Sequence, residues 1–394
     1  MGDLEVFQVD IRDDERPGRE PKLKVVWNYQ GRPHPPYFVP EKLLKDRATD
    51  VRNALQRLMD KGMNNDGLLV DCEQEVHEVA ESGHKLYAAL FHPGDGFDAI
   101  RIRDWLKKET AGLQERGKQG QISFTVDSLI HIPWGLICDR PPSEFKDHGT
   151  EVFDSFWCIK YKLSSVFFRI LPEGLNEPEP ADLRHVLSVV HKTAFDVATK
   201  YLTAPEDEIS KWMLGQFGEP LASSTQFYKE WQTKGEGLRL LYFYCHANSS
   251  NLALGEDDEI TITDFRQETV IPKSTQQSTC VVFLNGCNTA IGESHGAFLE
   301  ATGELLFCGF IGTETKVPDV FALRFGLSFL YYFLNKGWPV YRIMDHLRKQ
   351  HWPLAMTYST YCPPMLRFEA KVDPVKIEMN ENFSLMPLGT LQMS

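Results

Sequence analysis

The pattern of apolar and polar positions changes character at Gly235 and Gly237. Before these glycines most segments alternate or follow helical spacing. "EVFQVDI" and "KLKVVWNYQ" read as two strands joined by the charged loop Arg12 to Pro21. In "PEKLLKDRATDVRNALQRLMDKG", Leu43, Leu44, Val51, Leu55 and Leu58 fall near a helical repeat, which predicts a helix stopped by Gly62. "EQEVHEVAESGHKLYAALF" and "FDAIRIRDWLKKETAGL" predict two more helices. "QISFTVDSLIHIPWGLICD" reads as a strand, a turn at Asp127–Ser128 and a short apolar segment with Pro133. "RHVLSVVHK" is another apolar run of strand length, and a polar helical region covers about Glu206 to Lys234.

Beyond the glycines, three apolar runs, 238–245, 279–286 and 305–313, alternate with helices. Runs that are apolar on both faces imply a parallel or mixed sheet covered on each side, hence an α/β fold. "DVFALRFGLSFLYYFLNKG" and "PVYRIMDHLRKQHW" read as long helices after the last run. The proline- and acid-rich "PEGLNEPEPAD", 172–182, is the candidate linker. The expected division is an N-terminal hairpin and helix (1–62), a subdomain (63–180), the main sheet (181–370) and a tail (371–394).

Composition narrows the function classes. With 394 residues, 42% apolar and 25% charged, the chain can bury a large core. A formal charge of −13, with no Lys/Arg run longer than two, argues against direct nucleic-acid binding. The first 30 residues hold no continuous apolar stretch, and no run approaches the roughly 20 residues a membrane span needs. Eight cysteines without a repeating spacing do not resemble a disulfide framework, so a cytoplasmic protein with reduced thiols is expected.

Candidate chemistry lies at two strand ends. His246 directly follows one apolar run and Cys287 directly follows the next. In an open α/β sheet, ligands bind beyond the carboxyl ends of the strands. Parallel neighbours lie about 4.8 Å apart, so the two side chains would share one rim. An imidazole can take the proton of a thiol whose pKa is near 8.5, and the thiolate can attack a carbonyl. Backbone N–H groups at the rim can bind the resulting oxyanion. Gly286, without a side chain, would let substrate approach the sulfur.

The other cysteines compete less well. Cys245 points to the face opposite His246, and Cys280 is roughly 20 Å from Cys287. Cys308 reads as a small core residue. Cys72, Cys138, Cys158 and Cys362 have no histidine at a comparable strand end, although Cys362 in "YSTYCPP" stays open as part of a rim loop. Taken singly, a cysteine or histidine at a strand end is more often packing than catalysis; the conjunction carries the reading. No paired-ligand spacing points to a metal, and no G-x-G-x-x-G or G-x₄-G-K-[ST] loop points to a nucleotide. No cofactor is expected. The acidic turn "GEDDE", 255–259, reads as a solvated hairpin loop.

These residues carry a family likeness. "LLYFYCHANSSNLALGEDDEITITDF", "VVFLNGCNTAIGES", "FLEATGELLFCGFIGTETKVPDVFALRF" and, upstream, "ISFTVDSLIHIPWGLICD" together resemble the CHAT family of caspase-like cysteine peptidases, related to separases. The likeness covers about residues 65 to 365. It implies a caspase-like, mostly parallel sheet flanked by helices, preceded by a smaller α/β subdomain. It implies His246 as general base and Cys287 as nucleophile, with the N–H groups of Ala247 and Cys287 at the oxyanion. Asn285 would face the pocket for the residue before the cut, and Asp319 would favour a basic residue there. Asp319 also fits an N-cap of the following helix. The likeness further implies a protein substrate, with gasdermin-like or CRISPR-associated proteins as candidates, an activating protein partner, and a place in bacterial antiviral immunity or regulated cell death. Three positions depart from the family pattern: Ala247 stands where glycine is usual, "NGC" replaces "SAC", and Lys316 or a neighbour replaces a tryptophan. They leave open a non-cleaving binding or scaffold module. The loop 288–295 is expected to be mobile until a substrate or activator binds.

Overall fold

The structure, a computed structural model, describes residues 5–14, 20–64, 72–92, 97–128, 130–145, 150–167, 180–181, 186–234, 238–247, 251–268, 280–287, 289, 298, 301, 307–367 and 369–370. The expected loop 288–295 and the tail 371–394 fall almost wholly outside them. The chain divides into two units, Met1–Leu58 with Asp71–Arg169, and Met59–Val70 with Ile170–Gln392.

The first unit contains β1 (Val6–Asp13), β2 (Lys22–Tyr29), β3 (Arg32–Pro33), β4 (Tyr37–Pro40), β5 (Gln121–Asp127) and β6 (Lys162–Phe167). They form one sheet in the order β3-β2-β1-β5-β6, with β4 on β2. The expected segments 1–62 and 63–180 both contribute strands to this sheet. β1 pairs in parallel with β5, Val9 opposite Phe124, and backbone pairing does not respect a sequence boundary. Alternation explains the burial: Phe7, Val9 and Ile11 of β1 and Leu23, Val25 and Trp27 of β2 are all inside. The helices are α1 (Glu41–Asn64), α2 (Glu73–Leu90), α3 (Asp98–Glu115) and two single turns, α4 (Thr150–Phe153) and α5 (Trp157–Lys160). The helix expected to stop at Gly62 continues to Asn64, because Gly62 is absent from the positive-φ glycines and forms no left-handed cap.

The second unit begins with β7 (Pro180–Ala181), β8 (Val186–Val190), α6 (Lys192–Ala198), α7 (Ala204–Phe217) and α8 (Ser224–Lys234). It continues with β9 (Leu240–Tyr244), β10 (His246–Ala247), β11 (Asn251–Ala253), β12 (Glu259–Thr261), α9 (Ile262–Glu268) and β13 (Val281–Asn285). Then come β14 (Gly309–Thr313), α10 (Asp319–Leu330), α11 (Val340–Gln350), β15 (Tyr358–Tyr361) and β16 (Glu369–Ala370). The main sheet has the order β15-β14-β13-β9-β8. β8, β9, β13 and β14 are mutually parallel, and β15 closes the edge antiparallel. The fold is thus α/β, with a mostly parallel sheet flanked by helices, as its unbroken apolar runs require.

Both faces of the sheet are covered. Phe243 meets Phe227 of α8 and Phe265 of α9. The alternate residue Tyr242 faces α10, where a Cβ on Gly326 would fall 2.6 Å from the Asn285 amide nitrogen. Glycine is needed there to let the helix backbone lie against two polar side chains of the sheet. The turn "GEDDE" does join a hairpin, β11 to β12, yet Asp258 is not merely solvated. Its carboxylate accepts from the Ser224 N–H at 3.0 Å and the Ser224 hydroxyl at 2.5 Å, securing the start of α8.

Candidate active site

Three adjacent parallel strands end on chemically active residues. β8 leads into His191, β9 into His246 and β13 into Cys287. The register pairs Val190 with Tyr244 and Tyr244 with Asn285. His246 lies two residues beyond Tyr244, and Cys287 two beyond Asn285. The strand pairing stops there: His246 begins β10, in a second sheet with β11 and β12, and Cys287 lies in the turn after β13, so the two residues follow the ends of neighbouring parallel strands. Cys287 is also singled out by exposure: it alone among the eight cysteines is part-exposed, and all eight are free thiols.

The turn that presents Cys287 is held by two threonines that sequence reasoning missed. The Thr289 hydroxyl donates to the Leu284 carbonyl at 2.9 Å and accepts from the Thr313 N–H at 2.8 Å. The Thr313 hydroxyl in turn donates to the Gly286 carbonyl. The end of β14 therefore clamps the end of β13. Small hydroxyl residues directly after two apolar runs, in "NGCNTA" and "IGTETK", are the signal that could have found this clamp.

Gly286 serves packing. A Cβ there would lie 2.6 Å from the Cys245 carbonyl oxygen and 3.3 Å from the Ala247 Cβ, so glycine is required for the close approach of the neighbouring strand end. Asn285 differs from its expected place in a pocket. It is 1% exposed, its amide donates to Tyr242 Oη at 3.0 Å and to the Ala322 carbonyl at 2.7 Å, and its carbonyl oxygen accepts from Tyr358 Oη at 2.7 Å. Its side chain locks β13 to α10, β9 and β15.

Ala247 lies in β10, paired with Leu252 of β11. Among the described residues Gln30 alone is a non-glycine with positive φ, so alanine in place of glycine costs no left-handed strain at 247. Asp319 is exposed and is the first residue of α10, with Pro318 at the N-cap position. It is not the cap itself, though a carboxylate in the first turn complements the helix dipole. Its carbonyl accepts from Tyr244 Oη at 3.1 Å, tying the helix start over the end of β9.

Burial pushes the Cys287 thiol above the ordinary cysteine range; its hydrogen bond to the Val317 carbonyl pulls the other way, the Asp319 carboxylate adds to the rise and Lys316 opposes it. The Sγ–O distance to Val317 is 3.9 Å. The segment Lys316–Asp319 thus bears directly on the sulfur. His191 stands beside His246, ring centroids 4.8 Å apart and planes at 64°. The His191 N–H donates to the Tyr244 carbonyl at 2.7 Å, and its Nδ1 accepts from the Ala194 N–H at 3.2 Å as the N-cap of α6. Burial first, then the neighbouring His246, lowers its pKa, and Asp319 opposes the fall. Sequence reasoning passed over His191, although "LSVVHK" carries the same signal of an apolar run ending on histidine.

Cys245, Cys280, Cys308 and Cys362 are buried, the last inside the sheet edge after β15. No group of three or more metal-ligating side chains occurs among the described residues. No described helix is long and apolar enough to cross a membrane.

No protein-family model matches the chain. No curated protein matches it. Among solved structures it is similar to two crystal structures of the Saccharomyces cerevisiae separase–securin complex, at 3.0 and 2.6 Å resolution. The first match has 10% identity and a TM-score of 0.48, covering 92% of this chain and 30% of that one. The second has 10% identity and a TM-score of 0.47, covering 93% and 30%. The chain therefore spans 30% of the length of those chains.

Proposed function

We propose that the protein is a cysteine endopeptidase that cuts a protein partner, with Cys287 as nucleophile and His246 as general base. The observation that supports this reading is the register of the parallel neighbours β9 and β13, which pairs Tyr244 with Asn285, each two residues before His246 and the one part-exposed cysteine. The raised thiol holds its proton at neutral pH, so attack requires a base at the moment of reaction. His246 takes the S–H proton, sulfur bonds to the peptide carbonyl carbon, and the N–H groups of Ala247 and Cys287 receive the oxyanion. Collapse breaks the C–N bond, and the imidazolium gives its proton to the leaving amine. Water, deprotonated by His246, then hydrolyses the thioester and restores the thiol.

Asp319, electrostatically coupled to Cys287, supports a basic residue before the cut. The Val317 carbonyl on the thiol supports a latent resting state that a partner protein relieves. A gasdermin-like or CRISPR-associated substrate, a cytoplasmic setting and a role in antiviral immunity or cell death rest on the sequence resemblance. A second reading, a binding module of the same fold without cleavage, is favoured by the same raised thiol. Incubation with a peptide library discriminates them. The first reading expects cleavage after Arg or Lys that vanishes in Cys287→Ala. Cleavage after Asp or aliphatic residues removes the role of Asp319, and identical profiles for wild type and Cys287→Ala support the second reading.

A further inference from the structure

The second histidine of the site has no role in the reaction as written. His191 ends β8, the strand on the far side of β9 from β13, so the strand bearing His246 runs between the strands bearing His191 and Cys287. Two independent bonds fix His191. Its backbone N–H donates to the Tyr244 carbonyl, two residues before His246, and its ring Nδ1 accepts from the Ala194 N–H. With Nδ1 an acceptor, the neutral ring carries its proton on Nε2. His246, by contrast, is exposed on a two-residue strand, and its ring meets that of His191. An exposed side chain samples several rotamers, whereas proton transfer from sulfur requires one.

We propose that His191 is a positioning residue: a ring fixed by the helix cap that holds the His246 imidazole toward Cys287. The inference rests on the dyad reading above. The charged and titratable groups facing His191 are His246 and Asp319. Repulsion from an imidazolium at His246 disfavours a second charge on His191, so the prop stays neutral while His246 carries the proton.

The cap and the ring are separable by mutation. Asn at 191 keeps an N-cap acceptor and removes the ring; Phe keeps a ring and removes the acceptor. The measurement is alkylation of the full-length protein by iodoacetamide at pH 7, mapped by peptide mass spectrometry, alongside thermal melting. Seven of the eight cysteines are buried, so the native-state rate reports Cys287. His246→Ala is expected to slow the reaction about tenfold, since the thiol loses its base. His191→Asn is expected to slow it about fivefold, with a melting temperature within about 1 °C of wild type. His191→Phe is expected to recover part of that rate while melting about 2–4 °C lower. A wild-type rate in His191→Asn, with His246→Ala slow, overturns the positioning role and leaves the dyad standing. A rate loss in His191→Asn that tracks a lowered melting temperature also overturns it, as a purely structural effect. An unchanged rate in His246→Ala removes the dyad, and the positioning role with it.

Discussion

Replacing Asn285 by Ala tests whether the residue before the nucleophile turn supports the sheet or lines a pocket. The wild-type amide has bonds of 3.0, 2.7 and 2.7 Å to Tyr242, Ala322 and Tyr358, all buried. Removing it strips a partner from two phenolic hydroxyls and one carbonyl. A buried polar group left without its partner costs about 1–3 kcal/mol. The Ala322 carbonyl belongs to a helix and keeps its intrahelical donor, so the two hydroxyls dominate. The expected total is about 3–5 kcal/mol, since contributions within one network are not additive. Tyr358→Phe removes a single bond and should cost about 1–2 kcal/mol. Asn285→Asp keeps the shape but sets a carboxylate oxygen against the Ala322 carbonyl, acceptor facing acceptor, and should approach the cost of Ala. The assay is urea unfolding followed by tryptophan fluorescence, with Cys287 alkylation measured on the folded protein. Asn285→Ala losing less than about 1 kcal/mol, with an altered preference for the residue before the cut, would refute the structural role and restore the pocket role.

Other outcomes follow from the same geometry. Gly286→Ala drives a Cβ to 2.6 Å from the Cys245 carbonyl and should destabilise by about 1–3 kcal/mol while slowing Cys287 alkylation; a neutral effect on both would contradict the packing. Asp319→Asn removes a charge that raises the Cys287 thiol, so alkylation at neutral pH should speed up while cleavage after Arg or Lys falls; parallel losses would contradict this split. Buried His351, with Arg324 and His346 adding to the effect of burial, has its pKa lowered to about 4. Below 6.5 the unfolded chain binds a proton that the folded chain refuses until about pH 4. Its stability contribution is therefore present above pH 6.5 and lost as pH falls toward 4, by roughly 3 kcal/mol. His351→Leu should flatten that acid limb in urea midpoints against pH, and an unchanged limb would refute it.

Much of this architecture is legible in the sequence because burial on two faces leaves long apolar runs. β9, β13 and β14 each lie within an expected run, and His246 and Cys287 sit where those runs end. What escapes is decided by partners distant in sequence. β15 is a four-residue polar-aromatic stretch, "YSTY", that becomes a strand only by pairing with β14. The joining of segments 1–62 and 63–180 rests on β1 pairing with β5, across more than a hundred residues. The contacts of Asn285 and Gly286 come from Tyr242, Tyr358, Ala322 and Cys245, partners that neither the family likeness nor the missing side chain of glycine discloses. His191 shows the same run-then-histidine pattern as His246, and its meaning emerges only from the strand order.

The central claim is that Cys287 and His246 act as one unit. The most direct measurement is covalent labelling with a peptidyl acyloxymethyl ketone carrying Lys next to the reactive group, an electrophile that requires an assembled thiol–imidazole site. Mass spectrometry of wild type should find one adduct, on Cys287, formed far more slowly in His246→Ala and not at all in Cys287→Ala. An adduct on another cysteine, or equal rates on Cys287 with and without His246, would contradict the account.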